Sequence, residues 1–347
     1  MALVSLKLLM DHGAEKGYGL PAFNVSNMEQ IHAVMMAAKK TGSPALIQFS
    51  RSARKYATDT FIKHLINAIA AQYSSVPFAV HQDHGNSFAT CLTAMQTGFS
   101  SVMIDGSLEA DGKSIASFEY NVAISKKTVE AAHAMGVSVE GELGVLGSLE
   151  TGKGDKEDGH GAEGTLTREQ LLTDPTEAAE FVKLTGVDCL AVAIGTSHGA
   201  YKFSRKPTGD ILAIDRIAAI SKATGGTHLV MHGSSSVPQK YQDMINEFGG
   251  KIPQTFGVPV EEIQRGIKNG VRKINIDTDL RMVITGILRK EFAANVSEFD
   301  PRKYLSLAQA AMQELCEERF TQFYCAGHSD SIKIKSLSEM ADLYSKK

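Results

Sequence analysis

Tryptophan is absent from the 347 residues, proline occurs only 9 times and cysteine 4 times, and neither sign of charge dominates. Net charge is −3, from 36 basic and 39 acidic residues, with no long basic block, so nothing favours a nucleic acid or an anionic membrane surface as partner. A small partner is expected instead. The cysteines Cys91, Cys189, Cys316 and Cys325 lie far apart without a Cys-x-x-Cys pair, which suits a reducing cytoplasm and excludes a disulfide framework. Apolar stretches such as Cys189 to Ile194 fall far short of the roughly 18 residues a membrane-spanning helix needs. Met1 to Met10 lacks a basic leader and a small-residue cleavage site and reads as mature sequence. At 43% hydrophobic and 22% charged, the composition is that of a folded globular chain. Glycine, at 31 residues, and histidine, at 11, are abundant, and where they fall carries the information.

Short β-type runs alternate with longer segments of three- and four-residue apolar spacing, such as Ile31, Val34, Met35 and Ala38. The expected strands are Gly19–Val25, Pro44–Ser50, Pro77–Asp83, Ser101–Asp105, Val137–Leu143, Cys189–Gly195, His228–His232 and Val271–Asp277. Eight strands, each followed by a helix, predict an α/β fold of the (β/α)8 TIM-barrel type, a single domain over 1–347. That fold usually takes about 250 residues, so there is a surplus. One part is a Gly-rich, charged stretch after the fifth strand, 144–165, expected to be a mobile active-site loop. The other is a C-terminal helical extension, 300–347, expected to pack outside the barrel or on a neighbouring subunit.

In such a barrel the chemistry gathers at the C-terminal ends of the strands. Here those ends carry Asn24, Ser50, Asp83 with His84, Asp105, Glu142, His198, His232, and Asn275 with Asp277. Singly, each has an ordinary reading as a turn residue or helix cap. Together they describe a mouth lined with metal-competent and hydrogen-bonding groups. Three ends supply an imidazole followed directly by glycine, and three histidines with an open position suit a catalytic zinc. His81 lies two residues before Asp83 and would face the same side of its strand. His12, His32, His64, His133 and His160 fall away from the strand ends and are expected to serve in packing or at the surface. The loops after the last two strands, Gly233-Ser234-Ser235-Ser236 and Asn275-Ile276-Asp277-Thr278-Asp279, suit a phosphate, and equally an ordinary turn with a helix cap.

The ordered set Pro21-Ala22-Phe23-Asn24-Val25, His81-Gln82-Asp83-His84-Gly85, Glu140-Gly141-Glu142-Leu143-Gly144, Gly195-Thr196-Ser197-His198-Gly199, His232-Gly233-Ser234-Ser235, Asn275-Ile276-Asp277-Thr278-Asp279 and Asp300-Pro301-Arg302 resembles the class II, metal-dependent fructose-bisphosphate aldolases, especially the Calvin-cycle subtype. The resemblance implies a cytoplasmic barrel enzyme of glycolysis, gluconeogenesis or the Calvin cycle, cleaving fructose 1,6-bisphosphate to dihydroxyacetone phosphate and glyceraldehyde 3-phosphate. It implies Zn2+ on His84, His198 and His232, with Asp105 and Glu142 at a second divalent-metal position or as partners of the ligand imidazoles. It makes Asp83 the acid/base at the C4 hydroxyl and Glu150 the base on the loop after strand 5, although that loop reads Ser148-Leu149-Glu150 where the commoner pattern has two adjacent acids. Gly199, Gly233, Ser235, Asp277 and Thr278 match the dihydroxyacetone phosphate end, with Lys202 nearby and a monovalent cation, Na+ or K+, beside Gly199 and Gly233. Asn275 would bind substrate oxygens, and Asn24 and Ser50 would line the sugar path. Arg302 matches an arginine that reaches the far phosphate from a neighbouring subunit, implying a homodimer or homotetramer.

The nearest alternative is a tagatose-bisphosphate aldolase, the same chemistry on an epimer. A zinc hydrolase on this fold would want His-x-His after the first strand, where Asn24 stands. A Schiff-base aldolase is disfavoured because Lys273 sits in a strand body and not at its end.

Overall fold

Runs rich in Val, Ile, Leu and Phe, typical of strands covered on both faces, form eight parallel strands in the computed structural model. They are β1 (Leu20–Asn24), β2 (Ala45–Phe49), β3 (Phe78–Gly85), β4 (Ser101–Ile104), β5 (Ser138–Leu143), β6 (Cys189–Val192), β7 (His228–Met231) and β8 (Val271–Ile276). Each pairs with the next and β8 pairs with β1, closing the barrel. The structure describes residues 2–109, 113–147, 149, 166–199, 202–207 and 212–346. Most of the expected loop 144–165, Glu150 included, lies outside the described residues.

Helix α1 (Leu6–Lys16) precedes β1, and α2 (Met28–Thr41) follows it. Then come α3 (Arg51–Ala57), α4 (Asp59–Gln72), α5 (Phe88–Thr97), α6 (Phe118–His133), α7 (Pro175–Thr185), α8 (Ile214–Ala223), α9 (Gln239–Glu247) and α10 (Val260–Lys268) in the successive crossovers. After β8 the chain continues through α11 (Thr278–Ala294), α12 (Pro301–Gln322) and α13 (Leu337–Tyr344). Short polar side chains start many of these helices. Asn27, Ser50, Ser87, Ser117 and Asp174 each accept a backbone N–H of the first turn, a cap contributing about 0.5–2 kcal/mol.

Leu6, Leu9 and Met10 of α1 are fully buried, and this helix packs against β1, β3, β7 and β8. Phe23, Phe49, Phe78 and Phe99 are buried to within 1% in the wall, each contributing roughly 1.5–3 kcal/mol by burial. Helix α12 lies against α2 and α11, and its Phe320 meets Phe23 edge-on at 5.3 Å, so part of the C-terminal extension belongs to the barrel's outer layer. Helix α13 rests on α6, with Tyr344 stacked on His133 at 3.6 Å.

The expected strand boundaries shift by at most two residues at seven strands and by three at the end of β6. β6 stops at Val192, and Gly195, at φ 95°, turns the chain away, so His198 lies on the β6–α8 connection and not at a strand end.

Candidate metal and substrate site

Strand alternation would send Asp83 and His84 to opposite faces of β3. The register against β4 shifts between Gln82 and Gly85, and His84 adopts φ 48°, in the left-handed region that a non-glycine residue enters at a cost of about 1–2 kcal/mol. Both side chains consequently reach the same mouth. The turn is held by side chains: Gln82 Nε2 donates to the Asp83 carbonyl at 2.7 Å, and Arg51 Nε to the His84 carbonyl at 3.1 Å. Buried Arg54 in turn fixes Gln82 Oε1 at 2.6 Å while chelating Asp59.

His84 Nε2 and His232 Nδ1 face each other at 2.8 Å, and only one of two nitrogens so placed can carry a proton. Their other nitrogens address carboxylates: His84 Nδ1 lies 3.3 Å from Asp105 and 3.7 Å from Glu142, and His232 Nε2 lies 2.8 Å from Glu140. A carboxylate that takes the outer N–H leaves the inner nitrogen as a lone-pair donor. His198 completes the group, its ring centroid 4.9 Å from that of His84 and 5.5 Å from that of His232. Ligand atoms of the three imidazoles lie within 4.8 Å of one another, and the same spacing holds for His84, Asp105 and Glu142. Two facing imidazole nitrogens, each with its opposite nitrogen on a carboxylate, fit a divalent cation, and an all-imidazole set suits zinc.

The electrostatics sort these groups. Burial, then the proximity of His84, holds His232 well below the usual imidazole range, so it is neutral and ligand-competent. Burial alone would raise Asp105, but its hydrogen bond from His84 and that from Ser107 outweigh it and the carboxyl lies below its ordinary range. Burial and then the charge of Asp105 push Glu142 well above the usual carboxyl range. The two acids therefore titrate apart, as neighbouring carboxylates in a shared site do.

Asp83 sits in a cradle of amides. Asn24 donates to it at 2.8 Å, Asn275 at 3.2 Å and Gln48 at 3.3 Å, and Gln48 also binds Asn24 at 2.6 Å. All three donors point one way, which fixes the carboxylate as an acceptor at the mouth. Asn24, Asp83, His198, Gly199, Lys202, Gly233, Ser235, Asn275, Asp277 and Thr278 line one cleft there. Gly233, at φ 62°, admits no side chain, because a Cβ would stand 2.4 Å from the Ser197 carbonyl. Lys202 Nζ donates to that same carbonyl, Ser235 Oγ accepts the Asp277 N–H at 3.2 Å, and Asp277 pairs with Arg281 at 2.7 Å.

Of the other expected site residues, His84, His232, Asp105 and Glu142 belong to the imidazole and carboxylate cluster, while Ser50 and Arg302 are not among those lining the cleft. Ser50 is buried and caps α3 through Ala53 N at 3.3 Å. Arg302 has a side chain 88% exposed and closed on Asp300 at 2.8 Å. Glu150 lies outside the described residues.

Beneath the imidazoles lies a polar layer, in which Glu140 and Lys273 join His232 and His81 without having been expected at the site. His81, Glu140, His232 and Lys273 are all 0% exposed. Glu140 divides its oxygens, Oε1 to His232 and Oε2 to Lys273 at 2.9 Å and His81 at 3.4 Å. His81 Nδ1 meets Ser101 Oγ at 2.8 Å. The signal was present in the two-residue period: Glu140 precedes Glu142, His81 precedes Asp83 and Lys273 precedes Asn275 by two, so each faces inward one layer down.

Comparison with known proteins agrees with this geometry. The family model described as fructose-bisphosphate aldolase class-II matches residues 4–328. A fructose-bisphosphate aldolase class 2 of Synechocystis sp. is 60% identical over 346 residues, covering 100% of this chain and 96% of that one. A fructose-bisphosphate aldolase of Xanthobacter flavus is 59% identical over 344 residues, covering 99% and 97%. Among solved structures, the YdjI aldolase of Escherichia coli K12 superposes with a TM-score of 0.71 at 27% identity, covering 94% of this chain and 99% of that one.

Proposed function

The chain belongs to the class II fructose-bisphosphate aldolases, and we propose that its reversible cleavage of fructose 1,6-bisphosphate runs through the imidazole cluster and the amide-held Asp83 at the barrel mouth. The observation that carries this assignment of residues is the convergence of three imidazoles within 4.8 Å, beside a carboxylate cradled by three amides. His84, His198 and His232 would hold the zinc on which the family depends. Zinc, when bound, supplies a Lewis acid for the carbonyl and hydroxyl oxygens of the dihydroxyacetone phosphate half.

In cleavage, Asp83 takes the C4 hydroxyl proton as the C3–C4 bond breaks, its acceptor geometry set by Asn24, Gln48 and Asn275. The C4 oxygen keeps its electrons as the new aldehyde carbonyl, and the bonding pair passes to C3 and the C2 carbonyl. Glu150, in the sequence after β5, returns a proton to C3, and in condensation removes it. Asn275 binds substrate oxygens, and Asn24, with Ser50 capping the helix beside it, lines the sugar path. Gly199, Lys202, Gly233, Ser235, Asp277 and Thr278 receive the dihydroxyacetone phosphate end through backbone N–H groups and hydroxyls, and carbonyls near Gly199 and Gly233 hold Na+ or K+ against its charge.

Asp105 faces the nitrogen of His84 opposite the imidazole cluster. In that position it orients the ligand, and with Glu142 it offers a second divalent-metal position. The exposed Arg302 acts on a neighbour's far phosphate in a homodimer or larger assembly. Phe292 of α11, Val296 and Phe299 of the connection and Leu307 of α12, exposed by 49–89%, support a subunit contact there. No described helix is long and apolar enough to cross a membrane, and the separated, buried thiols favour the cytoplasm.

The deciding experiment is a side-by-side assay of fructose and tagatose bisphosphates on zinc-loaded protein. Cleavage of the fructose ester is expected to exceed that of its epimer, to vanish with a chelator, to return with Zn2+ and to withstand borohydride. Activity that survives exhaustive metal removal contradicts the mechanism.

A further inference from the structure

The loop 233–237 that follows β7 is held from behind by groups that do not line the cleft. Val237 adopts φ 50°, a conformation strongly disfavoured for a β-branched residue, and is 1% exposed. Its N–H donates to Asp279 Oδ1 at 2.8 Å, and the neighbouring Ser236 N–H to Asp279 Oδ2 at 3.2 Å. Asp279 is 0% exposed and paired at 2.9 Å with Arg319, itself 3% exposed, from the C-terminal helix α12. Gln322, three residues further along that helix, accepts from Arg319 at 2.6 Å. On the loop's other flank, Gly257 stands so close that a Cβ would meet the Ser235 carbonyl at 2.3 Å.

We propose that Asp279 and Arg319 are a positioning pair for the phosphate loop, through which α12 fixes the backbone of residues 233–237 in the shape that receives the substrate's phosphate. The proposal rests on the reading above that this loop takes the dihydroxyacetone phosphate end. Two backbone donors captured by one carboxylate offset the cost of the Val237 conformation and hold the preceding residues in place. A carboxylate behind an anion site would by itself repel the ligand; Arg319 cancels that charge. Thus the pair supplies shape without net potential, and a helix far along the chain from the barrel strands becomes part of substrate binding while touching no substrate.

The test uses the zinc-loaded enzyme with inorganic phosphate as probe, followed by calorimetry, alongside steady-state cleavage of fructose 1,6-bisphosphate. In D279N the amide keeps one acceptor and loses the other, so KM and the phosphate dissociation constant are expected to rise about tenfold, the worth of one charge-assisted hydrogen bond. kcat and bound zinc should change less than about twofold, since the imidazoles and Asp83 are untouched. Adding V237G, which adopts φ 50° without a tether, should recover most of the lost affinity. Should D279N fold poorly, D279N/R319M removes both buried charges together and carries the same expectation.

Unchanged phosphate affinity in a folded D279N or D279N/R319M overturns the proposal, as does a loss that V237G leaves untouched. If inorganic phosphate does not compete with substrate in the parent enzyme, the phosphate reading itself fails, a result distinct from the behaviour of the variants.

Discussion

Replacing Lys273 with methionine would test whether the buried layer under the imidazoles holds the site together. Lys273 and Glu140 are both 0% exposed and 2.9 Å apart, so K273M leaves a carboxylate in the barrel interior without its cation. Breaking such a pair from one side costs about 3–5 kcal/mol, because the remaining charge has neither water nor a cation beside it. Glu140 is also the acceptor for His232 Nε2, so its displacement loosens a proposed zinc ligand, a loss expected to be worth roughly 10–100-fold in metal affinity. The double variant E140Q/K273M behaves differently. It removes both charges and keeps a carbonyl facing His232, so stability should return to within about 1–2 kcal/mol of the parent, as in other exchanges of a buried pair for neutral groups. Zinc affinity should stay below the parent's, since an amide orients the imidazole less firmly than a carboxylate. Urea unfolding of the metal-free protein gives the first quantity, and competition with a chromophoric chelator gives the second. A K273M protein as stable as the parent, or a double variant as unstable as K273M, would refute the reasoning.

Further outcomes follow from the same geometry. D83A should lose about 10²–10⁴-fold in kcat while keeping its zinc, measured as metal per chain, because Asp83 is bound by amides and lies apart from the ligand set. H198A should retain less than a tenth of the parent's zinc after gel filtration at micromolar concentration, and full retention would place the metal elsewhere. E150A should lose exchange of the dihydroxyacetone phosphate α-proton with solvent while its zinc content stays intact; retained exchange moves the base to another residue. His81 gives a pH signature. Burial, then the charge of Lys273, holds it well below the usual imidazole range, so below about pH 6.5 the unfolded chain binds the extra proton and stability falls with falling pH. In H81Q the urea midpoint of the metal-free protein should fall less steeply between pH 6.5 and 5, by about one proton, or 1.4 kcal/mol per pH unit. An unchanged slope would mean that His81 is already charged in the fold.

Much of this protein could be read along the chain. Eight apolar runs with helical segments between them predict a barrel because parallel strands covered on both faces must be apolar and their crossovers amphipathic, and both patterns are local. Asp83, His84, Asn24, Asn275 and His232 were identifiable because a strand's end, in this fold, points to a common mouth. Ser50 shows where that inference weakens: the same position serves equally to cap the next helix, and the structure gives it that contact. His198 was placed at a strand end, but Gly195 turns the chain earlier and the imidazole reaches the cluster from a connection.

What the sequence determined by itself is therefore the inventory and its approximate order: the fold class, the three imidazoles, the carboxylates and the small residues at the mouth. These depend on residue type and spacing, which act within a few positions of one another. Only the tertiary structure decided the rest. The register shift on β3 brings Asp83 and His84 to one side against the strand's own alternation. The partners of each imidazole, Asp105 for His84 and Glu140 for His232, select which nitrogen faces the imidazole cluster. Arg319 meets Asp279 only because α12 folds back against α11. Such pairings join residues 21 to 92 positions apart, and barrel closure and helix packing bring them within reach, so no periodicity in the chain announces them.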